Sequence, residues 1–272
     1  MTSHRVEDFG SIDRTRPIRF SFDGKSVDAF EGDTISSALL ANGIGIVGRS
    51  FKYHRPRGIW GAGVEEPNGI VDVAQPFVMC NCRATTQPAV NGMVVRSVNA
   101  TPTAAIDRNA FIDRFARFIP SAFYYKTFMW PNWHHFEPSI RRMAGLGILD
   151  RDASLPPHSE QVNDICDLLV IGGGPAGLFS ALVAARQGKN VIVCDDGLEF
   201  GGSLLHRAAI IDGIEGANWI NLTLGELRER GARLLSCTTA FGLYDHGLVA
   251  LNERQFNGKP DRLWRLDRKS VV

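Results

Sequence analysis

DLLVIGGGPAGLFSALVAARQGKNVIVCD, residues 167–195, is the stretch that decides the fold. Its first apolar run, Leu168–Ile171, has the length and β-branched content of a buried parallel strand. Glycines with the spacing G-x-G-x-x-G follow, and a helix is predicted from Pro175 to Arg186. A second apolar run, Val191–Cys194, completes a β-α-β unit of about 30 residues, in the order typical of dinucleotide-binding folds.

The glycines of this turn have separate roles in such a site. Gly172 permits the tight turn, Gly174 allows a pyrophosphate to approach the backbone, and Gly177 lets helix and strand pack closely. The helix N-terminus, at Pro175, offers free N–H groups and a partial positive charge to phosphates. We therefore predict a dinucleotide site here, and the alternative is the same fold with an empty site.

An acidic residue, Asp195, ends the second predicted strand, where a carboxylate can accept hydrogen bonds from both ribose hydroxyls. A negative charge there repels a 2′-phosphate, which favours NAD or FAD over NADP, and Asp196 would add to that repulsion. Further on, the pair Gly201-Gly202 lets the chain pass close to a dinucleotide, and Ser203 can donate a hydrogen bond.

Length and composition describe an ordinary globular chain with about two domains: 272 residues, 44% hydrophobic and 22% charged, with a net charge of +1. This balance predicts neither a nucleic-acid nor a membrane partner, and no apolar run is long enough to span a bilayer. The N-terminus lacks the apolar core of a signal peptide. An odd number of cysteines, five, favours free thiols in a reducing compartment, so we predict a cytoplasmic protein.

The N-terminal part predicts a small mixed domain. Short apolar runs flank Asp23-Gly24, a strong hairpin signal, and a helix is expected from Ile35 to Asn42. The predicted strands are Pro17–Phe22, Ser26–Phe30, Ile70–Val73 and Met93–Val95. This order resembles the β-grasp fold of ferredoxin-like domains.

Such domains usually hold a [2Fe–2S] cluster on four cysteines, most of them in the loop after the helix. Here that loop, Gly43–Gly63, contains no cysteine, and Cys80 and Cys82 form an isolated C-x-C pair. We therefore predict no iron–sulfur cluster and no metal site. Zinc on the two cysteines and a histidine is the alternative.

The same loop alternates basic and aromatic residues between Arg49 and Trp60. This pattern can bind single-stranded nucleic acid. The alternative, which the neutral chain favours, is a surface loop that is ordered against a partner domain and whose arginines pair with acids such as Glu65 and Glu66.

Residues 98–164 are rich in aromatic side chains and predict a packed connector rather than a flexible linker. A helix is expected over Asn109–Ile119, with its phenylalanines on one face as core, packed either within a larger subunit or against a second one. A domain boundary is expected over Asp150–Glu160. The aromatic residues are Phe111, Phe115, Phe118, Phe123, Tyr124, Tyr125, Phe128, Trp130, Trp133 and Phe136.

After Asp195 the sequence predicts a helix over Trp219–Arg230, a strand over Arg233–Cys237 and a β-meander. The meander strands are Ala240–Tyr244, Leu248–Leu251 and Leu263–Leu266. A dinucleotide domain of this type needs a further parallel strand, which we do not find. We therefore expect the chain to be the N-terminal part of a longer polypeptide.

Several unusual stretches resemble the alpha subunits of heterotetrameric sarcosine oxidases. They are VGRSFKYHRPRGIWGAGVEEPN (Val47–Asn68), AFYYKTFMWP (Ala122–Pro131), IRRMAGLG (Ile140–Gly147), the GGGPAG turn, EFGGSLL (Glu199–Leu205) and TTAFGLYDH (Thr238–His246). More loosely, the chain is similar to the large subunits of opine and hydrogen-cyanide-forming dehydrogenases.

The resemblance implies NAD bound in the second domain, with FAD as an alternative in the same site. It implies an amine-oxidising FAD and an FMN on a beta subunit or its interface, together with gamma and delta subunits. It also implies sarcosine oxidation to glycine, formaldehyde or its folate adduct, and hydrogen peroxide. Matching the family adds Ala176 to the cofactor-binding prediction, which reads Gly172, Gly174, Pro175, Ala176, Gly177, Asp195, Asp196, Gly202 and Ser203.

The resulting prediction is a mixed α/β plus α+β protein with three parts. They are a β-grasp ferredoxin-like domain without cluster cysteines (1–97), an aromatic helical connector (98–164) and a truncated Rossmann-type domain (165–272). No catalytic residue is evident, since neither His206 nor His246 has a carboxylate at a sequence spacing that would indicate a catalytic pair. The chain alone is therefore not expected to be catalytic. The alternatives are an FAD-binding dehydrogenase subunit and a non-catalytic assembly module.

Overall fold

The computed structural model describes residues 4–6, 12–119, 128–145, 158–255 and 260–272. The chain divides into two compact units, Met1–Pro156 and Pro157–Val272, and the predicted boundaries at residues 97 and 164 stay predictions. Phe123, Tyr124 and Tyr125, and most of the predicted boundary segment, lie outside the described residues. Within the described ranges, no helix combines the length and apolar character that a membrane span requires.

The first unit contains seven described strands, two α-helices and a 3₁₀-helix. The strands are β1 (Pro17–Phe22), β2 (Lys25–Phe30), β3 (Gly48–Arg49), β4 (Pro56–Arg57), β5 (Ile70–Gln75), β6 (Met79–Arg83) and β7 (Val94–Ser97). The helices are α1 (Ile35–Ala41), the 3₁₀-helix Arg108–Phe118 and α2 (Trp133–Ala144). Five strands form a mixed sheet in the order β2-β1-β7-β5-β6, and β3 pairs separately with β4.

Local sequence signals account for the start of this sheet. Asp23 and Gly24 both have positive φ angles, 49° and 79°, as a two-residue hairpin turn requires. Helix α1 begins with a capping box, in which the Thr34 hydroxyl accepts the Ser37 N–H and the Ser37 hydroxyl accepts the Thr34 N–H. One core joins sheet and helix: Phe20, Phe22, Val27, Ile35, Leu39, Val47, Val71, Val73, Met93 and Val95.

The predicted aromatic helix is present, as the 3₁₀-helix, but its phenylalanines do not form core. Phe111, Phe115 and Phe118 are 60%, 51% and 65% exposed. They are not buried within this unit, and their packing against a further surface of a larger subunit or against a second subunit stays a prediction. Polar contacts hold the segment here: Arg55 pairs with Asp113 at 2.7 Å, and the Tyr53 hydroxyl donates to the Ile119 carbonyl.

The alternative to nucleic-acid binding expected ion pairs between the arginines of the basic loop and nearby acids. Such an ion pair is present, but its acid is not one of those named. Arg55 pairs with Asp113 rather than with Glu65 or Glu66. Glu66 is buried and accepts four backbone N–H groups, those of residues 60, 61, 68 and 69. Although burial alone would raise it, these bonds hold the pKa of Glu66 below its usual value. The pairing with Glu65 and Glu66 is therefore corrected: these acids shape the loop backbone.

The described part of the second unit contains eight strands, two α-helices and two short 3₁₀-helices. The strands are β8 (Glu160–Ile171), β9 (Val191–Cys194), β10 (Ile210–Ile211), β11 (Ile214–Glu215), β12 (Arg233–Leu235), β13 (Thr238–Leu243), β14 (Leu248–Glu253) and β15 (Arg262–Val271). The α-helices are α3 (Pro175–Arg186) and α4 (Gly216–Glu229), and the 3₁₀-helices are Gly202–Leu205 and Asp245–Gly247. The main sheet has six strands in the order β12-β9-β8-β15-β14-β13.

The prediction that a further parallel strand is missing is wrong. Strand β15 closes the meander against β14 and also runs parallel to β8, from the pair Arg262 and Glu160 to the pair Val271 and Leu169. The apolar pattern ends at Leu266, but the backbone ladder continues through the charged residues that follow. One of them, Lys269, pairs with Asp167 on β8.

Each face of the six-stranded sheet has its own core. Helices α3 and α4 cover one face through Leu178, Leu182, Ile220, Leu224 and Leu227. The other face buries Leu169, Ile192, Leu251, Trp264 and Leu266.

Because they pair in parallel, strands β12, β9, β8 and β15 end together at one edge of the sheet, beside the N-terminus of α3.

The five free cysteines should differ in reactivity. Cys80 is exposed, whereas burial raises the pKa of Cys82 and Cys166 to about 11 and that of Cys194 to about 12. Because the thiolate is the reactive form, we expect a thiol reagent at pH 8 to modify Cys80 rapidly in the folded chain and the others slowly. Stopped-flow labelling checks this: Cys80→Ser should remove the fast phase and Cys82→Ser should keep it, and a fast phase in Cys80→Ser would contradict it.

Candidate dinucleotide-binding site

The glycine turn after β8 requires glycine at Gly172 for its backbone angle and at Gly177 for the space beside it. Gly172 has a φ of 107°, and its N–H donates to the Cys194 carbonyl at 2.8 Å. A Cβ on Gly177 would lie 1.9 Å from the Gly172 carbonyl oxygen, so α3 begins directly against the turn. Gly172 and Gly177 therefore need glycine for the two reasons predicted from the sequence, the tight turn and the close packing of helix and strand.

A second glycine turn lies against the first. The Gly201 N–H donates to the Gly173 carbonyl at 2.8 Å, and a Cβ on Gly202 would lie 2.9 Å from the Gly174 Cα. The buried Phe200 ring fills the space beside Gly173, where a Cβ would meet it at 2.2 Å. The two turns thus form one cradle of bare backbone at the carboxyl edge of the parallel strands.

The N-terminus of α3 opens into this cradle without a side-chain cap. Its N-cap residue, Gly174, has an extended backbone and no side chain to bond the first-turn N–H groups, and Pro175 follows at the first helical position. The N–H groups of Ala176 and Gly177 are therefore left for another acceptor. Together with the helix dipole, they suit a phosphate group.

Asp195 connects the turn to the end of β9. One carboxylate oxygen accepts the Gly173 N–H at 2.6 Å and the other accepts the Gly197 N–H at 2.8 Å. A carboxylate has about four acceptor positions, so two remain for ribose hydroxyls. Asp195 therefore shapes the cradle and keeps capacity to bind a nucleotide.

The other predicted residues lie around this point. Asp196 is half-buried, and its carbonyl accepts an N–H of Arg254 at 3.1 Å. Ser203 is exposed in the 3₁₀-helix after the second turn, where its carbonyl accepts the Arg207 N–H. The structure thus brings all the predicted positions to one edge of the sheet, and their role in binding stays a prediction.

Sequence reasoning missed three residues of this region. Gly173 is the middle glycine of GGG and is not one of the three motif glycines, so the motif does not single it out, although its N–H donates to Asp195. Phe200 precedes the second glycine pair, and an aromatic residue beside paired glycines was the available signal. Arg254 follows β14, nearly 60 residues from Asp196, and no local pattern points to it.

The two histidines considered from the sequence, His206 and His246, do not show the geometry of a general base. Both are exposed, and among the described residues neither forms an ion pair with a carboxylate. The described part of this unit also contains no group of three or more His, Cys, Asp or Glu side chains that could hold a metal ion. The uncapped helix and the glycine turns of this edge suit the binding of a nucleotide.

Comparison with protein families assigns a type to each unit. Residues 15–100 match the 2Fe-2S iron-sulfur cluster binding domain, and residues 167–249 match the FAD dependent oxidoreductase family. These matches overturn our cofactor prediction of NAD and no iron–sulfur cluster. The first unit is of the cluster-binding type, and the nucleotide supported for the second is FAD.

Comparison with individual proteins agrees on one family of relatives. The chain is 46% identical to sarcosine oxidase subunit alpha of Rhizobium meliloti, over 98% of this chain and 28% of that protein. It is 31% identical to the same subunit of a Corynebacterium species, over 96% of this chain and 24% of that protein. The chain thus spans about a quarter of the length of these relatives. An L-proline dehydrogenase from P. horikoshii shares the fold, with a TM-score of 0.57 at 20% identity, over 96% of this chain and 40% of that chain.

The described residues fit the two implied groups differently. The uncapped helix, the bare glycine cradle and Asp195 fit the diphosphate and ribose of FAD. Residues 15–100 contain two cysteines, Cys80 and Cys82, whereas a [2Fe–2S] cluster is ordinarily held by four protein ligands. The fit to a cluster is therefore incomplete, and no chemical step is assigned to one.

Proposed function

The chain is homologous over nearly all of its length to the alpha subunits of sarcosine oxidase, and from this relationship we propose that it is the FAD-binding part of such an oxidoreductase. The observation that carries the proposal is the match of residues 167–249 to FAD-dependent oxidoreductases, at the unit that holds the uncapped helix and glycine cradle. In this proposal the second unit is a Rossmann-type domain.

Bound FAD would supply a carrier that can take up two electrons. The first-turn N–H groups of α3 hold the diphosphate, and Asp195 accepts hydrogen bonds from the ribose. Gly174 and Gly202 keep side chains away from the diphosphate. The chain's own residues thus bind and orient the cofactor.

The substrate of the assembled enzyme is sarcosine. Sarcosine, water and oxygen give glycine, formaldehyde and hydrogen peroxide, and formaldehyde can leave as a folate adduct in one-carbon metabolism. We propose that the amine-oxidising flavin centre belongs to a beta subunit, within a heterotetramer that also contains gamma and delta subunits. Free thiols at all five cysteines fit assembly in the reducing cytoplasm.

A second candidate is the FAD-binding large subunit of an opine- or cyanide-type amine dehydrogenase. The observation that favours it is the pairing of a cluster-binding family match with an FAD family match in one chain. The two functions differ in electron acceptor. The assembled oxidase should release one hydrogen peroxide per sarcosine under air, whereas a dehydrogenase should reduce an added dye without peroxide.

The test of the proposal is FAD binding by the 272-residue chain. Titration of FAD fluorescence should show saturable binding with about one FAD per chain. Absence of saturable binding to a folded chain would overturn the FAD assignment. A binding chain whose assembled complex does not oxidise sarcosine would instead overturn the substrate assignment.

Asp195→Ala should weaken FAD binding by about tenfold to a few hundredfold. Each hydrogen bond to a charged acceptor is worth about 1.5–3 kcal/mol, and about 1.4 kcal/mol is tenfold in affinity. Asp195→Asn, which keeps one acceptor oxygen, should lie between the wild type and Asp195→Ala. Asp245→Ala, an exposed carboxylate of the same unit, serves as the matched control and should change nothing. Unchanged FAD affinity in folded Asp195→Ala would show that Asp195 does not bind the ribose.

The chain alone, supplied with FAD, should release no hydrogen peroxide from sarcosine. The reason is that the amine-oxidising centre is proposed to lie on a beta subunit, and that His206 and His246 are exposed and form no ion pair with a carboxylate among the described residues. A peroxidase-coupled assay checks this, with the complete enzyme of a relative as positive control. Sustained peroxide release by the isolated chain would contradict it.

A further inference from the structure

The first unit contains an open cleft that the dinucleotide site does not involve. Its volume is about 620 Å³, and strands β3 to β6 contribute to its wall together with residues 98–99 and the end of α2. Its polar lining residues are Arg49, Ser50, Arg57, Asn68, Asn81 and Asn99. None of these described lining residues is acidic, and the two arginines give the cleft positive charge.

Arg49 is the buried charge of this wall. It is 9% exposed, and its guanidinium donates to the carbonyls of Ala104 at 2.7 Å, His54 at 3.2 Å and Ala105 at 3.0 Å. These acceptors are neutral, and among the described residues no carboxylate forms an ion pair with Arg49. A buried charge without a counter-charge is costly, and two of its five N–H groups remain for another acceptor.

The backbone of Arg49 is fixed in this position by one side chain. The Asn99 amide oxygen accepts the Arg49 N–H at 2.9 Å, and the Asn99 amide nitrogen donates to the Arg49 carbonyl. The wall continues at Gly145, where a Cβ would lie 2.3 Å from the Val98 carbonyl oxygen. The cleft is therefore bounded by tight contacts.

Arg57 and Asn81 add free donors to the same cleft. Both are exposed, and neither side chain has a hydrogen-bond or ion-pair partner among the described residues. The Asn68 side-chain amide donates one N–H to the Gly58 carbonyl at 3.1 Å, which leaves its second N–H for another acceptor. Two guanidinium groups and two amides thus line one cleft, while the neighbouring Glu66 and Asp72 carboxylates accept the backbone N–H groups of Asn68 and Asn81.

We propose that this cleft binds a small anionic molecule that carries a phosphate or carboxylate group. Arg49 supplies the buried positive charge, Arg57 a second guanidinium that reaches the ligand from the rim, and the amides of Asn68 and Asn81 complete the donor set. Charge-assisted hydrogen bonds to such oxyanions are the strong ones, and arginine suits their planar or tetrahedral oxygen arrangement. The exposed Phe51 ring on the same wall offers an apolar surface to the rest of the ligand.

The test is calorimetric titration of the 272-residue chain in a buffer of constant ionic strength. Inorganic phosphate is the probe in one arm and malonate in the other, so that the arms separate the two sources of oxyanion. We expect saturable binding in at least one arm, weakened about tenfold to a hundredfold by Arg57→Ala. Arg96→Ala removes an equally exposed strand arginine of the same unit outside the cleft, and should change affinity less than twofold.

Two results would overturn the proposal: no saturable binding in either arm, or equal weakening by Arg57→Ala and Arg96→Ala. The second result would mean that only the overall charge attracts the anion. Arg49→Lys keeps the positive charge but loses the planar, two-pronged donor arrangement of the guanidinium, and should weaken binding severalfold. If Arg57→Ala fails to fold, as circular dichroism would show, Arg57→Gln gives the same comparison.

Discussion

Gly177→Ala should unfold the second unit or leave it unable to bind FAD. The added Cβ would lie 1.9 Å from the Gly172 carbonyl oxygen and 3.2 Å from Val170 Cγ1. The first of these is a backbone atom of the turn itself, so relief requires moving the turn and the start of α3 together. Overpacking costs about 1–3 kcal/mol where side chains can adjust, and we expect at least about 3 kcal/mol here. Urea unfolding and FAD titration measure the two effects.

Gly225→Ala is the matched control for this substitution. Gly225 lies inside α4, and a Cβ there would meet no atom within 4 Å. Because alanine is the better helix former, this change should stabilise the unit by about 0.5–1 kcal/mol. If Gly177→Ala unfolds at the same urea concentration as the wild type and binds FAD equally well, the contact between helix and turn is not the one described.

The β-α-β unit could be predicted because its signals are local. The spacing of glycines and the two apolar runs give α3 from Pro175 to Arg186 and β9 from Val191 to Cys194, and the structure has the same bounds. Asp23-Gly24 predicted the first hairpin in the same way. In each case the residues that determine the backbone lie within a few positions of one another.

The second half of β15 and its parallel pairing with β8 could not be predicted, because a parallel ladder depends on residues about a hundred positions apart. The C-terminal half of β15 carries charged side chains, so the sequence there shows no alternation of apolar and polar residues. Backbone N–H and C=O groups can pair whatever the side chains are. The partners of the basic loop were missed for the same reason. Arg55 finds Asp113 rather than the nearby acids, which instead bind the loop backbone.

The cofactor was the least predictable feature of the site. A glycine cradle, a helix N-terminus and an acid at the end of β9 recognise the ADP portion that NAD and FAD share. The fingerprint therefore predicts a dinucleotide but not which one, and the preference for NAD came from the resemblance alone. Distinguishing the two requires the parts of the protein that contact the nicotinamide or the flavin ring.

Asp107→Ala should destabilise the first unit by about 3–5 kcal/mol. The Asp107 and His54 side chains are fully buried, and the His54 Nδ1 lies 2.6 Å from one Asp107 oxygen. The other oxygen accepts the backbone N–H groups of Thr101 at 3.1 Å and Asn109 at 3.2 Å. Alanine would leave three donors without an acceptor, and breaking a buried hydrogen-bonded pair by removing one partner costs this much.

Asp113→Ala is the comparison that separates this buried pair from an exposed one on the same segment. The Arg55–Asp113 pair has a similar distance, 2.7 Å, but its side chains are 51% and 44% exposed, so its loss should cost less than about 1 kcal/mol. Asp107→Asn, which keeps one acceptor oxygen, should lie between the two. Urea unfolding followed by circular dichroism, with FAD binding by the second unit as an internal check, measures all three variants. A loss of less than 1 kcal/mol in Asp107→Ala would mean that His54 and Asp107 do not hold the basic loop against residues 101–109.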